Sequence, residues 1–396
     1  MLATLARADG SAEEENVEVT PRQAPGDASP GGAARERVPG LPPAEAAASR
    51  LPELQDVQGP RRRAAHRSRT VMARIAVDAL GGDRGSAEVI AGALDASRQG
   101  IDVVLFGPPT LDTQGLELVA ASEEIEMHEK PADAVRAKPD SSLVAACRAV
   151  GSGDADAVVS AGNTGAMLAA GLLHIRRLPG VLRPAIAVVV PARFKPSVLI
   201  DSGANADSRS EHLVQFAYMG AVFAEEVLDV PNPEVRLLSI GEEAEKGNQL
   251  TLEAHAALAA SGLNFLGNTE ARNLLRGAAD VVVTDGFTGN IALKLLEGTI
   301  SELLSELREE IGSTVMGKLG GLLIRPAARR LRTRLDPDTY GGAYLLGLRG
   351  LSVVAHGNSS SRAIANAIAL AARGVEHRVV ERLSERLPDR VASARS

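Results

Sequence analysis

From Arg74 onward, short runs rich in Val, Ile and Leu alternate with longer stretches whose apolar residues recur every three or four positions. The first pattern suits buried strands and the second amphipathic helices. The runs predict strands over Arg74–Ala79, Asp102–Phe106, Glu124–His128, Ala157–Ser160, Ala185–Val190, Val198–Asp201, Arg236–Ile240, Asn264–Leu266, Val281–Thr284 and Ser352–Ala355. Helices are predicted over Ala87–Arg98, Ser142–Gly151, Thr164–Arg176, Glu211–Leu228, Gln249–Ala260, Thr288–Ile311 and Ser360–Leu383. Strand and helix in alternation predict an α/β fold, a doubly wound, mostly parallel sheet between two helical layers. Ala185–Val190 and Val198–Asp201 follow one another through Pro191 and Pro196 with no helix between them. That pair is expected to form a hairpin or an extended arm suited to a subunit contact.

The strand ends carry the polar chemistry. Six junctions stand out: Asp78-Ala-Leu-Gly-Gly-Asp83, Ser160-Ala-Gly-Asn-Thr-Gly165, Asp201-Ser-Gly-Ala-Asn205, Gly241-Glu-Glu-Ala-Glu-Lys-Gly-Asn248, Thr284-Asp-Gly-Phe-Thr-Gly-Asn290 and His356-Gly-Asn-Ser-Ser360. In an open parallel sheet all of them lie on one edge, where ligands bind. Glycine allows close approach of backbone to ligand, and Asn, Thr and Ser cap the helices that follow. Several helix N-termini aimed at one crevice make an anion site. The pattern therefore points to an enzyme that handles a phosphate-like anion. No G-x-G-x-x-G is present, and Gly241…Gly247 lacks the Lys-Ser/Thr ending of a P-loop.

Composition narrows the class. Apolar residues make up 45% of the 396-residue chain but aromatics only 2%, with no Trp. A core of Ala, Val, Leu and Ile suits buried parallel strands. The single cysteine, Cys147, excludes an internal disulfide and fits a reducing compartment. A net charge of −7 argues against a general nucleic-acid binder. The seven His are scattered without metal-ligand spacing, so neither a metal nor another cofactor is expected. Residues 1–71 are rich in Ala, Pro, Gly, Glu and Arg and poor in Ile, Phe and Tyr, so a disordered extension is expected there, with a domain over 72–386 and a short disordered tail over 387–396.

Individual residues admit two readings. Asn163 and Thr164, or Thr288 and Asn290, serve either a well-capped structural helix or an anion site. Lys246 and Lys294 are either phosphate neutralisers or solvated surface residues. Asp78, Asp83, Asp201 and Asp285 are common turn residues as well as candidate site groups. His356 suits an acid or base role, or the satisfaction of a buried backbone group. Cys147, mid-helix among apolar residues, reads as core.

Residues 313–335 differ from the rest. Apolar Val315, Met316, Leu319, Leu322, Leu323 and Ile324 precede Arg325, Arg329, Arg330, Arg332 and Arg334. In an acidic protein this combination suits a protruding helical hairpin that meets anionic lipid or docks an acidic partner. An ordinary helical hairpin covering the domain is the plainer reading.

The ordered set Ile75-Ala-Val-Asp-Ala-Leu-Gly-Gly-Asp83, Ser160-Ala-Gly-Asn-Thr-Gly-Ala166, Gly203-Ala-Asn205, Lys246-Gly-Asn248, Phe265-Leu-Gly-Asn268, Asp280-Val-Val-Val-Thr-Asp-Gly-Phe-Thr-Gly-Asn290 and Tyr340-Gly-Gly342 closely resembles the bacterial acyl-carrier-protein:phosphate acyltransferase (PlsX) family. The resemblance runs from about Arg74 to Ala372. It implies a fold like phosphate acetyltransferase and isopropylmalate dehydrogenase. It also implies transfer of a fatty acyl group from acyl carrier protein (ACP) to inorganic phosphate, for phospholipid synthesis. A homodimer in the cytoplasm, peripherally bound to the inner face of the cell membrane, is implied as well. Phosphate acetyltransferase-like use of acyl-CoA, and a non-catalytic acyl-ACP or membrane-binding regulator, are the alternatives. Arg84-Gly85-Ser86 stands where the family usually has His-Ala-Pro, Ser202 where it has Val, and Asn358 where it has Ser.

On this reading the catalytic candidates are Asn163, Lys246, Asn205 and Asp285. Phosphate or substrate contacts are expected from Asp78, Gly81, Gly82, Gly162, Thr164, Gly165, Gly247, Asn248, Thr288, Gly289, Asn290 and His356. Membrane or partner contacts are expected from Val315, Met316, Leu319, Leu322, Leu323, Arg329 and Arg330. Phosphate is already anionic near neutral pH, and a thiol of pKa ~8.5 is a fair leaving group. The chemistry then needs positioning and oxyanion stabilisation rather than a covalent nucleophile.

Overall fold

The computed structural model describes residues 72–387, with the exception of Phe194. The expectations for residues 1–71 and 388–396 lie outside the described residues. Eleven strands form one sheet: β1 (Arg74–Asp78), β2 (Asp102–Gly107), β3 (Glu117–Ala120), β4 (Ala157–Ser160), β5 (Ala185–Val190), β6 (Ser197–Ile200), β7 (Val235–Leu238), β8 (Phe265–Thr269), β9 (Val281–Val283), β10 (Ala343–Leu346) and β11 (Leu351–Val354). Their order is β3-β2-β1-β4-β11-β10-β5-β6-β9-β7-β8.

Strands β3, β2, β1, β4 and β11 run parallel, and so do β6, β9, β7 and β8. Between the two sets lie the antiparallel pairs β11–β10, β10–β5 and β5–β6. Three reversals leave the two halves pointing in opposite directions. The six polar junctions therefore do not share one edge. Those after β1, β4 and β11 lie at one end, and those after β6, β7 and β9 at the other. The Pro191–Pro196 connection is the cause: without a crossover helix the chain must reverse, and parallel order is lost. The pair β5–β6 is the expected antiparallel hairpin, but not an extended arm, since its strands are buried at the centre of the sheet.

Helices cover both faces. Alternate strand residues such as Ile75, Val77, Val159, Ala187 and Val353 pack in one continuous core with α1 (Ser86–Arg98), α5 (Ser210–Val227), α6 (Gln249–Ala259), α9 (Ser361–Glu376) and α10 (Val379–Arg386). The opposite face is divided. Ala76, Val158 and Ile186 pack with α2 (Pro131–Ala137), α3 (Ser142–Ser152) and α4 (Thr164–Ala170). Val190, Leu199 and Val282 pack with Leu293 of α7 (Gly286–Ser313). Val188 of β5 touches both of these smaller cores, so the fissure between them lies over β5.

Other boundaries differ from expectation for local reasons. Glu124–His128 alternates like a strand, yet only Ile125 is buried there, and Glu126 N donates to Glu129 Oε1 at 2.8 Å to make a turn. The edge strand is β3 instead. The helix expected over Thr164–Arg176 is α4 followed by a π-turn, Gly171–Ile175. The last helix divides at Arg378, whose φ of 54° is left-handed. Residues 315–335 form α8 (Val315–Leu335), capped by Thr314 Oγ1 and lying along α7, with none of its residues buried.

Candidate active site

The fissure over β5 is a cavity of about 830 Å³. Its floor is Ile186, Val188 and Val190, alternate residues on one face of β5 and ~13 Å apart from first to last. One end receives Gly162 and Thr164 from the β4–α4 junction and His356 to Ser359 from the β11–α9 junction. Arg84 and Met127 also face it. The other end receives Ser202 and Gly203 after β6 and Asn290 from the first turns of α7. Helix α7 spans the two. It starts at the second end, at Gly286, and carries Leu293, Lys294, Glu297, Ile300 and Leu304 along the cavity toward and beyond the first. The reversal that separates the polar junctions is thus bridged by one long helix.

Two buried aspartates tie the loops. Asp78, at the end of β1, accepts from Ser142 Oγ at 2.5 Å, Ser160 Oγ at 2.7 Å and Gly81 N at 3.2 Å. Asp201, after β6, accepts from Ile186 N at 2.9 Å, Ala204 N at 3.0 Å, and Asn205 N and Nδ2 at 2.8 Å each. Burial pushes both carboxyls up, and these donors oppose the shift by stabilising the anion. The knots demand glycine around them. A Cβ on Gly81 would lie 2.8 Å from Gly162 N, and one on Gly289 would collide with the Asp201 carbonyl. The first turn of α7 can reach the β6 loop only without that side chain.

The expected catalytic side chains mostly hold structure. Asn163 Oδ1 accepts from Ala166 N at 3.1 Å and so caps α4, while Nδ2 donates to Met127 O at 3.0 Å and Glu129 O at 3.3 Å. Asn205 Nδ2 donates to Pro184 O at 2.7 Å as well as to Asp201. Asp285 caps α7 by accepting from Thr288 N at 2.9 Å, which occupies that Thr288 amide. Asn248 caps α6 in the same way through Thr251 N at 2.9 Å. Lys246 is exposed on the loop after β7 beside Gly247, two strands beyond β6 and outside the cavity. Gly82 and Gly165 stand behind the first end: Gly82 lies under Ala161, and Gly165 packs on Pro131. Gly162, Thr164, Asn290 and His356 are the expected residues that the cavity brings together.

Glu297, not expected from sequence, joins the candidates Lys294 and His356 in the wall. Glu297 Oε1 lies 3.3 Å from His356 Nε2, and Glu297 Oε2 lies 3.1 Å from Lys294 Nζ. Burial works to raise the Glu297 carboxyl, but the hydrogen bond and charge of His356, with those of Lys294, outweigh it and hold the group below its ordinary value. The available signal was the run Leu293, Leu296, Ile300 and Leu304, a helical stripe broken by one glutamate. Cys147 is fully buried on α3, 3.8 Å from Met167 Sδ, and burial pushes its thiol well up. No cluster of His, Cys, Asp and Glu suited to a metal ion occurs among the described residues.

This arrangement combines anion-compatible polar groups at both ends with an apolar floor and an apolar helix face. Comparison with known proteins agrees. A family model described as "Fatty acid synthesis protein" matches residues 73–382. The phosphate acyltransferase of Heliobacterium modesticaldum is 43% identical over 330 residues, 80% of this chain and 98% of the relative. That of Thermosynechococcus vestitus is 46% identical over 333 residues, 81% of this chain and 97% of the relative. A phosphotransacetylase from Streptococcus pyogenes superposes with a TM-score of 0.52 at 18% identity, over 77% of this chain and 94% of that one, a likeness of fold. Sequence identity at this level over the whole described domain shows that the chain belongs to the bacterial phosphate acyltransferase (PlsX) family of acyltransferases.

Proposed function

We propose that the chain transfers a fatty acyl group from acyl-ACP to inorganic phosphate, giving acyl phosphate and the free carrier thiol. The observation that carries this reading is the dual character of one cavity, polar at its ends and apolar along β5 and α7. A phosphate oxygen attacks the thioester carbonyl, the C–O bond forms, and the C–S bond breaks as thiolate leaves. Thr164, Asn290, Lys294 and His356 line the space where both reactants meet, and they supply donors or positive charge to phosphate and to the developing oxyanion. Asn163, Asn205 and Asp285 serve that step by fixing the loops. Cys147 takes no part, since a buried thiol with a raised pKa is a poor nucleophile.

The same reading assigns a homodimer in the cytoplasm and peripheral contact with anionic membrane. Support for the latter comes from α8, where Val315, Met316, Leu319, Leu322 and Leu323 are all more than half exposed near the exposed Arg329 and Arg330. No helix among the described residues is long and apolar enough to cross a membrane. Donor choice tests the proposal. Phosphate-dependent thiol release is measured with palmitoyl-ACP and palmitoyl-CoA at matched concentration. A higher kcat/KM for the ACP thioester is expected, and preference for the CoA thioester overturns the assignment of the carrier.

A further inference from the structure

The cavity has an apolar compartment that the transfer step itself does not use. On α7, Leu293 belongs to the small core with Val190, and Leu296 packs against that core. Further along the helix, Ile300 and Leu304 line the cavity. Both are half-buried, yet neither belongs to any hydrophobic core among the described residues. Their inner faces line the cavity without joining a packed core. Spacings of three and four keep the row on one side of the helix. Leu335, at the end of α8, lines the same cavity. Leu304 stands ~10 Å along the helix beyond Glu297, which marks the polar part. Leu303, its neighbour in the chain, is 66% exposed on the outer side.

We propose that this compartment is the acyl-chain subsite and that Ile300 and Leu304 set the length of chain the enzyme prefers. The proposal rests on the reading of the cavity as an acyl-transfer site. The occupant follows from continuity: a thioester whose carbonyl lies among Lys294, His356 and Asn290 has its alkyl tail free to run along α7. Each methylene laid against Ile300 or Leu304 removes water from both apolar surfaces. A tail that stops short of Leu304 forgoes the last of those contacts.

The test uses the full chain and a donor series of octanoyl-, lauroyl-, palmitoyl- and stearoyl-ACP, with kcat/KM read from phosphate-dependent thiol release. Ile300→Phe is expected to lower the palmitoyl-to-octanoyl ratio by about tenfold or more, and Leu304→Phe by less. Ile300→Ala, which adds space without bulk, is expected to move the optimum toward stearoyl. Leu303→Phe should leave the ratio at the wild-type value. An unmoved ratio in both Ile300→Phe and Ile300→Ala overturns the subsite while the acyl-transfer reading stands. Absence of phosphate-dependent release by the wild-type chain with every donor overturns that reading, and the subsite with it. A change of mass in solution with an unmoved ratio would mean that a second copy of the chain covers this face, which also overturns the proposal.

Discussion

His356 Nε2 lies 3.3 Å from Glu297 Oε1 and so joins the loop after β11 to the middle of α7. Glu297 also holds Lys294 at 3.1 Å, which makes it the common partner of two groups at the cavity. An imidazole whose one nitrogen faces a carboxylate is fixed in orientation, and its other nitrogen is left for substrate. His356→Ala is expected to lower kcat by roughly a hundredfold, and Glu297→Gln by less, with a displaced pH–rate profile. A pH profile of kcat for Glu297→Gln that superimposes on the wild-type profile contradicts this pairing.

The same carboxylate carries a stability signature. Its folded pKa is depressed below the ordinary 4.5, so its contribution is present above that value and is lost as pH falls through the folded value. Urea midpoints of wild type and Glu297→Gln should therefore differ near neutrality and converge in acid. A gap that widens on acidification would reverse the assigned sign.

Asn163 divides its amide between two tasks, capping α4 with oxygen and holding Met127 and Glu129 with nitrogen. Asn163→Ala should cost about 1 kcal/mol from the cap and also raise KM for phosphate. Asn163→Asp keeps the capping oxygen but loses the donors and adds negative charge beside the anion. It should be the more stable of the two and the poorer with phosphate. Equal KM values for phosphate in both variants would remove the loop from the site.

These loops show what sequence could and could not disclose. The Gly- and Asn-rich strand ends were legible because capping and close backbone approach leave a local signature, as in Asn163, Asp285 and Gly289. The placing of the β5–β6 hairpin at the centre of the sheet was not. It depends on β10, only Ala343–Leu346, which pairs with β5, and on partners that no local pattern names. One parallel edge was the expected home of all six junctions, yet Ser202 and His356 sit after strands that run in opposite directions and meet only because α7 bridges them. Glu297 was hidden for the same reason, being a lone charge in an apolar helical stripe until the helix is placed over β5.

Cys147 has no route to the cavity, since it is fully buried on α3 with its sulfur 3.8 Å from Met167 Sδ. Cys147→Ala should keep acyl transfer and lose about 1 kcal/mol of stability through a small void. A folded Cys147→Ala protein without activity, or an acyl adduct on the wild-type thiol found by mass spectrometry, would establish a covalent route.

Leu323 is 82% exposed and Leu322 64% exposed on α8. Replacing both with Glu should abolish co-sedimentation with anionic liposomes while turnover of soluble acyl-ACP persists. Arginines near such a surface add about 1 kcal/mol each. Arg329→Glu with Arg330→Glu should therefore weaken liposome binding. If that double variant instead raises KM for acyl-ACP and leaves liposome binding unchanged, α8 docks the carrier protein.

Direct reaction of phosphate with a fatty acyl thioester in the cavity over β5 would make acyl phosphate the product. Trapping the product tests it most directly: palmitoyl-ACP, the wild-type chain and phosphate are mixed, and acyl phosphate is captured with hydroxylamine as hydroxamate. Hydroxamate is expected in proportion to thiol released, with both dependent on phosphate and both sharply reduced in Asn290→Ala. Thiol release that is independent of phosphate, or that yields free fatty acid without hydroxamate, would contradict it.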